Sequence, residues 1–408
     1  MELSVPLECI FIADGSMTDP VVIVGGGLAG AASACLLARA GHRVVLFERQ
    51  LGPFDKICGE FISAEAAAYL GNIGIDLAAA GAHPIHRLRL VHGDRVVRCS
   101  LPFTGAGLSR RVLDEALLQH AARCGVQVRR GHAAALKQDR EPIVLELPDG
   151  ETLRTGTIFL ATGKHDLRGV RRHVDNPSDL VGFKQHLWLT PSQRSMLAGH
   201  VEIVLLRDGY AGLQLVENGM ANLCLLVTRS RLRDAGGTWN GLLDQLKAAE
   251  PHLAARLNGA AASMPQPLSI FRVPYGFVHA PSSADAPGIF RLGDQMAVIP
   301  SFTGDGMSIA LHSAFVAAAC HLAGEDAALY HRRMRQDVAG QIGRAGVLYR
   351  LGSSALGRAG LMRAAAMWPG GVRLAARLTR VPAGVLRAGV LQDRILQHPV
   401  TNLEHGVA

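Results

Sequence analysis

A chain of 408 residues with 49% hydrophobic content is too apolar to stay disordered and long enough for roughly two to three compact units. Its seven cysteines are odd in number and scattered, with no C-x-x-C pair for zinc or dithiol chemistry, which favours a reducing cytoplasm over a secreted fold. The net charge of +8 is concentrated: residues 331–394 carry twelve arginines, no lysine and two aspartates, so the rest of the chain is slightly acidic and does not read as a nucleic-acid binder.

The first sixteen residues hold Glu2, Glu8 and Asp14 and no basic residue, unlike a secretory signal, and are expected to be a poorly ordered extension. Residues 21–24 are a short β-branched run, followed by Gly25-Gly26-Gly27-Leu28-Ala29-Gly30, a small-residue helix over 31–40 and a second strand over 43–47 closing on Glu48. Strand, glycine turn, helix and strand form the context in which G-x-G-x-x-G binds a dinucleotide. Gly25 permits the turn, Gly27 lets backbone approach the pyrophosphate, and Gly30 lets helix and strand pack; the phosphates rest on the helix N-terminus. Glu48 is placed to accept hydrogen bonds from the adenosine ribose and would repel a 2′-phosphate.

The pattern then predicts an amphipathic helix over 110–124 and a strand over 126–128, with Val128 counted among the cofactor-binding residues. A buried strand over 157–160 follows. Alternating stretches at 201–206, 213–216 and 222–227, separated by Asp208-Gly209 and Asn218-Gly219, read as antiparallel hairpins. A strand over 289–292 and an apolar helix over 307–322 return to the first architecture. The fold class expected is α/β: a Rossmann-like FAD-binding domain (17–85, 105–170 and 285–330), an inserted antiparallel β-sheet substrate domain (86–104 and 171–284), and a basic helical C-terminal region (331–408).

FAD, rather than a nicotinamide alone, is indicated by Arg291-Leu292-Gly293-Asp294 followed by Gly304-Asp305-Gly306-Met307 at a helix start. The Asp294 carboxylate can bind a ribityl chain, the glycine turn brings backbone N–H groups to the flavin ring, and the helix dipole stabilises negative charge on reduced flavin. Together with Lys56-Ile57-Cys58-Gly59-Glu60 and Ser109-Arg110-Arg111-Val112-Leu113-Asp114, these motifs resemble the flavoprotein superfamily of aromatic-ring monooxygenases and geranylgeranyl reductase-like dehydrogenases. The resemblance implies that Arg110 contacts the FAD phosphates, Asp294 the ribityl chain, and Gly304, Asp305, Gly306 and Met307 the isoalloxazine. The Asp-Gly pair of the hydroxylases' middle motif is replaced here by Ala161-Thr162-Gly163-Lys164-His165-Asp166, which weakens the case for direct NAD(P)H binding, although NAD(P)H stays a candidate electron donor. The W-x-W-x-I-P motif of tryptophan halogenases is absent.

Cys58 is a candidate proton donor beside the flavin, where the reductase relatives place a cysteine; its alternative is a small buried hydrophobe. Glu60 is either a general acid or a helix-flanking carboxylate. Lys184, His186 and Tyr210, with Tyr275, are the polar residues expected to face the cavity, and Lys184 and His186 would deprotonate a phenol; the alternative is a solvated outer sheet face. No metal set stands out, since His83, His86 and His92 lack cysteine or carboxylate partners. The leading expectation is a monooxygenase acting through a flavin hydroperoxide on a small apolar aromatic or polyketide-like substrate; the alternatives are a C=C reductase or dehydrogenase and a non-catalytic electron-transfer partner. The arginine-rich tail is expected in short helices broken at Gly352, Pro369-Gly370 and Pro382, which either pack on the catalytic body or make a peripheral membrane contact.

Overall fold

In the computed structural model the described residues are 19–382 without 140, 171, 173–177, 283 and 284; the extension expected at 1–16 and the tail beyond 382 lie outside them. Val21–Val24 (β1) is fully buried, Leu28–Arg39 (α1) starts on Gly27, and Val44–Glu48 (β2) runs parallel to β1 with Val22 opposite Val45. Phe61–Ile62 (β3), Ala64–Ile73 (α2), His83–His92 (β4) and Arg95–Gly107 (β5) lead to Arg110–Arg123 (α3) and Gln127–Arg130 (β6). An antiparallel flap of Ala135–Gln138 (β7), Ile143–Glu146 (β8) and Thr152–Thr155 (β9) precedes Ile158–Leu160 (β10).

The second layer comprises Leu180–Trp188 (β11), Pro191–Leu197 (α4), Gly199–Leu206 (β12), Gly209–Leu215 (β13) and Ala221–Thr228 (β14). It continues through the helices Arg229–Asp234 (α5), Trp239–Ala249 (α6) and Pro251–Arg256 (α7) and the short strands Ala261–Ala262 (β15) and Leu268–Phe271 (β16). Ile289–Arg291 (β17) and Gly306–Leu322 (α8) return to the first layer, and Ala327–Ser353 (α9), Ala355–Met367 (α10) and Pro369–Leu378 (α11) close the described chain. A five-stranded parallel sheet, β17-β10-β1-β2-β6, carries the dinucleotide-binding unit; its inner strands β10, β1 and β2 are apolar runs because helices cover one face and the flap of β7–β9 the other, while the edge strand β6 (Gln-Val-Arg-Arg) is polar. A nine-stranded sheet runs β15-β11-β14-β13-β12-β4-β5-β3, with β16 on β11.

Two sequence expectations are adjusted. The large sheet takes in all of β4 and β5 and the short β3, so its share of the chain extends to both sides of 86–104. The basic region starts with one 27-residue helix rather than short ones: Tyr330, Met334, Val338, Ile342 and Ala345 form a buried stripe at helical spacing, and packing against the first layer outweighs the cost of Gly340, Gly343 and Gly346, about 1 kcal/mol each. The breaks fall where Ser354 Oγ accepts from Gly357 N–H (3.0 Å) to start α10 and where Pro369 opens α11.

Candidate functional site

The G-x-G-x-x-G turn is held by close backbone approach. A Cβ on Gly30 would lie 1.9 Å from the Gly25 carbonyl oxygen, so only glycine fits there. Gly25 itself has φ +108°, and a Cβ on it would stand 2.4 Å from Ala161 O. Glu48 is buried at the end of β2 and accepts from Gly26 N–H and Gln50 N–H, both at 2.9 Å, which fixes its carboxylate on the cavity wall. At the N-terminus of α1, a Cβ on Gly27 would stand 3.2 Å from Lys56 Nζ and 3.4 Å from Arg110 Nη2, so both cations close on this turn. Both cations share Asp114, Lys56 at 2.7 Å and Arg110 through two bonds of 2.7 and 2.9 Å. Burial alone would raise the Asp114 carboxyl, but Arg110 and Lys56 bring it below its usual range. The first turn of α1 has no acidic residue and no side-chain cap, so its N–H groups and two cations converge on one spot, which fits a pyrophosphate. Val128 packs into the main core, and after β6 it is His132, Ala133 and Ala134 that reach the cavity wall.

At the far end, Asp294 stands in the turn Gly293–Gln295 after β17, lines the cavity and pairs with Lys164 Nζ at 3.1 Å. Asp294 is the main cause that raises the Lys164 ammonium above its ordinary pKa. Gly304, Gly306 and Met307 line the same cavity, as a flavin ring contact requires. Asp305 does not: its carboxylate is fully enclosed and turned to the C-terminal segment, accepting from Val381 N–H (3.0 Å) and lying 3.5 Å from Arg380. Its place in the glycine motif is explained by this tie, while its neighbours Gly304 and Gly306 line the cavity.

Burial raises the Asp305 carboxyl to about 7, against the pull of Arg380. The protonated form therefore stabilises the fold fully below about pH 4, and this contribution is lost as pH rises through about 7. Asp305→Asn keeps an acceptor for Val381 N–H and should melt a few degrees above the wild type at alkaline pH, the two curves converging as pH falls toward about 4. A difference in melting temperature that does not change with pH would remove the titration from Asp305.

Cys58, Glu60 and Asp55 line the cavity where the two layers meet. Glu60, fully buried and held at φ +58°, is the hub. One carboxylate oxygen accepts from Lys184 Nζ (2.5 Å) and from Arg110 N–H at the start of α3 (2.8 Å), and the other is 2.7 Å from His186 Nε2. Asp55 adds a second carboxylate 3.3 Å from Lys184 and 3.7 Å from His186. Glu60 N–H donates to Cys58 Sγ (3.3 Å), Gln214 Nε2 to Glu60 O (2.7 Å), and Asn222 Nδ2 to Cys58 O (3.0 Å). Lys184 and His186 share a buried face of β11, but they stand behind the cavity wall, each bound to carboxylates, so neither is an exposed base. Trp188, next on that face, emerges from the sheet at 45% exposure.

The cavity is about 960 Å³ and runs from the α1 turn past Asp294 and the Gly304–Met307 turn to α10 and α11. Beyond the Gly304–Met307 turn its walls are mainly apolar, with Leu88, Leu90, Leu101, Ile203 and Leu205 on the sheet side. Tyr210 and Tyr275, both named by the sequence pattern, meet there at 3.3 Å, and both hydroxyls bond Ser301 Oγ, which the pattern did not single out. Burial raises both phenols above their ordinary pKa, so at neutral pH they are hydrogen-bonding hydroxyls.

The cradle at Gly27, Asp294 and the Gly304–Met307 turn share one cavity between a parallel and an antiparallel sheet, an arrangement that fits one extended dinucleotide. Residues 18–158 match the family model described as FAD binding domain. A menaquinone reductase of Mycobacterium tuberculosis is 26% identical over 314 residues, 73% of this chain and 75% of the relative. Squalene monooxygenase of Mus musculus is 25% identical over 318 residues, 74% of this chain and 54% of that protein. The flavin-dependent brominase Bmp2 superposes with a TM-score of 0.72 over 93% of this chain and 99% of its own, at 16% identity, a likeness of fold alone. The chain is an FAD-dependent oxidoreductase, similar over about three quarters of its length to a reductase and a monooxygenase.

Proposed function

We propose that the enzyme is a monooxygenase that inserts oxygen into an apolar aromatic or polyketide-like molecule. The observation that carries this is the mainly apolar cavity opening directly onto the Gly304–Met307 turn. Bound FAD, reduced by an external donor for which NAD(P)H is the candidate, supplies the electrons and the site of oxygen activation. The protein's part is to exclude water with the aliphatic side chains of β4, β5 and β12 and to hold the substrate's own oxygen, where it has one, against the hydroxyls of Tyr210, Tyr275 and Ser301. Lys184 and His186 act as positioning residues, fixing Glu60 and through it the Cys58 segment. The same reading gives the enzyme a cytoplasmic place with peripheral membrane contact through its basic helices; among the described residues no helix is long and apolar enough to cross a membrane.

A second reading, a C=C reductase or dehydrogenase, is favoured by Cys58 on the cavity wall and by the name of the mycobacterial relative. Labelled dioxygen separates the two. Label in the product of an apolar substrate supports oxygenation, whereas a product that gains two hydrogens without label supports reduction. If Cys58 supplies a proton in that second chemistry, Cys58→Ser keeps FAD and slows turnover at least about tenfold, roughly 1.4 kcal/mol of barrier. Unchanged turnover assigns Cys58 to packing.

A further inference from the structure

Helices α10 and α11 have the cavity on one side and open surface on the other. Leu361, Ala364, Val372 and Ala375 line the cavity. Across the same helices Leu356 is 89% exposed, Met367 86% and Trp368 62%, with Leu374 and Leu378 near half. Trp368 belongs to both sets, since it lines the cavity and is exposed, and so marks its mouth. Val347 and Leu351 at the end of α9 extend this apolar surface, whereas the other exposed large apolar side chains among the described residues, Leu51, Trp188, Met196 and Phe271, lie far apart in sequence on other elements.

Arginine is interleaved with these groups. Arg350, Arg363, Arg373 and Arg377 are exposed on the same three helices, and Asp337 is the one acidic residue in 331–382. The helix nearest the mouth, α11, has no buried residue; it packs on β5 and α10 and is fastened at its end by Arg344 Nε to Leu378 O (2.7 Å), by Arg380 to Glu65 (3.3 Å) and by the Asp305 tie to Val381. Apolar side chains among arginines at the rim of an apolar cavity suit an anionic lipid surface, where burial and charge attraction add. A second copy docked across a two-fold axis would set arginine against arginine.

We propose that this surface lies on an anionic bilayer and that the mouth at Trp368 admits the apolar substrate directly from lipid. Docking stands on the surface itself; the entry route rests on the apolar-substrate reading above. The test uses the FAD-loaded full chain and vesicles of phosphatidylcholine with or without phosphatidylglycerol. The wild type should co-sediment with the phosphatidylglycerol vesicles, less so in high salt. Met367→Glu/Leu374→Glu changes two exposed residues that do not line the cavity, and should lower binding about tenfold or more with FAD content and melting temperature unchanged. Absence of wild-type sedimentation, or equal binding by the double variant, overturns the proposal. So does a wild-type dimer in light scattering that the double variant turns into monomer, because a second copy then covers the patch. Vesicle binding as expected, with no turnover of any apolar compound, upholds docking and sinks the substrate reading alone.

Discussion

Asp294→Ala is expected to purify with most of its FAD lost. The carboxylate sits on the cavity wall between the end of β17 and the flavin turn, with one oxygen on Lys164 and its surface open toward the ligand space. A charged acceptor for a ligand hydroxyl is worth about 1.5–3 kcal/mol, a loss of roughly 10- to 150-fold in affinity. The variant also leaves Lys164 without its partner, facing the same space. Asp294→Asn, which retains an acceptor but no charge, should fall between the two. The measurement is flavin absorbance per protein after purification, followed by titration of the stripped protein with FAD. Full occupancy of the alanine variant would mean that the ribityl chain is held elsewhere.

How well the site could be read from sequence depended on how local its parts are. Gly25, Gly27, Gly30 and Glu48 lie within one strand-helix-strand unit, so spacing alone places them. Arg110 is legible from its motif, and Lys184 and His186 share one face of β11 as the period of a strand requires, but that face is buried behind the cavity wall rather than in it. What was not legible is the partner across the chain. Glu60 reads as a lone carboxylate until strand β11, 124 and 126 residues further on, brings Lys184 and His186 to it. Asp305 looks like part of a flavin turn because the segment it holds lies 76 residues away. Ser301 joins Tyr210 and Tyr275 only when a loop, a strand and the flavin turn close on one point. Charge in the tail pointed to its surface, but period and glycine content did not foretell a 27-residue helix, because burial against the first layer supplied what local propensity lacks.

Glu60→Ala should destabilise the fold by about 3–5 kcal/mol, since removing one partner of a buried ion cluster strands the others. Lys184 is fully buried and His186 nearly so; without Glu60 the ammonium keeps only Asp55, at 3.3 Å. The amide of Arg110 at the start of α3 loses its acceptor as well, and with it a carboxylate placed well for the helix dipole. Glu60 thus joins the dinucleotide-binding layer, through α3, to the antiparallel sheet, through β11, and losing it should loosen the junction at which Cys58 sits. A double variant separates charge from shape: Glu60→Ala/Lys184→Met removes the stranded ammonium and should recover a large part of the loss, leaving a coupling energy between the two residues of at least about 1 kcal/mol in a double-mutant cycle. Urea melts of the four proteins, with flavin absorbance as a second probe, give that number. Additive losses would mean that Lys184 and Glu60 are neighbours without a shared role, and a Glu60→Ala protein within about 1 kcal/mol of wild type would remove the hub altogether.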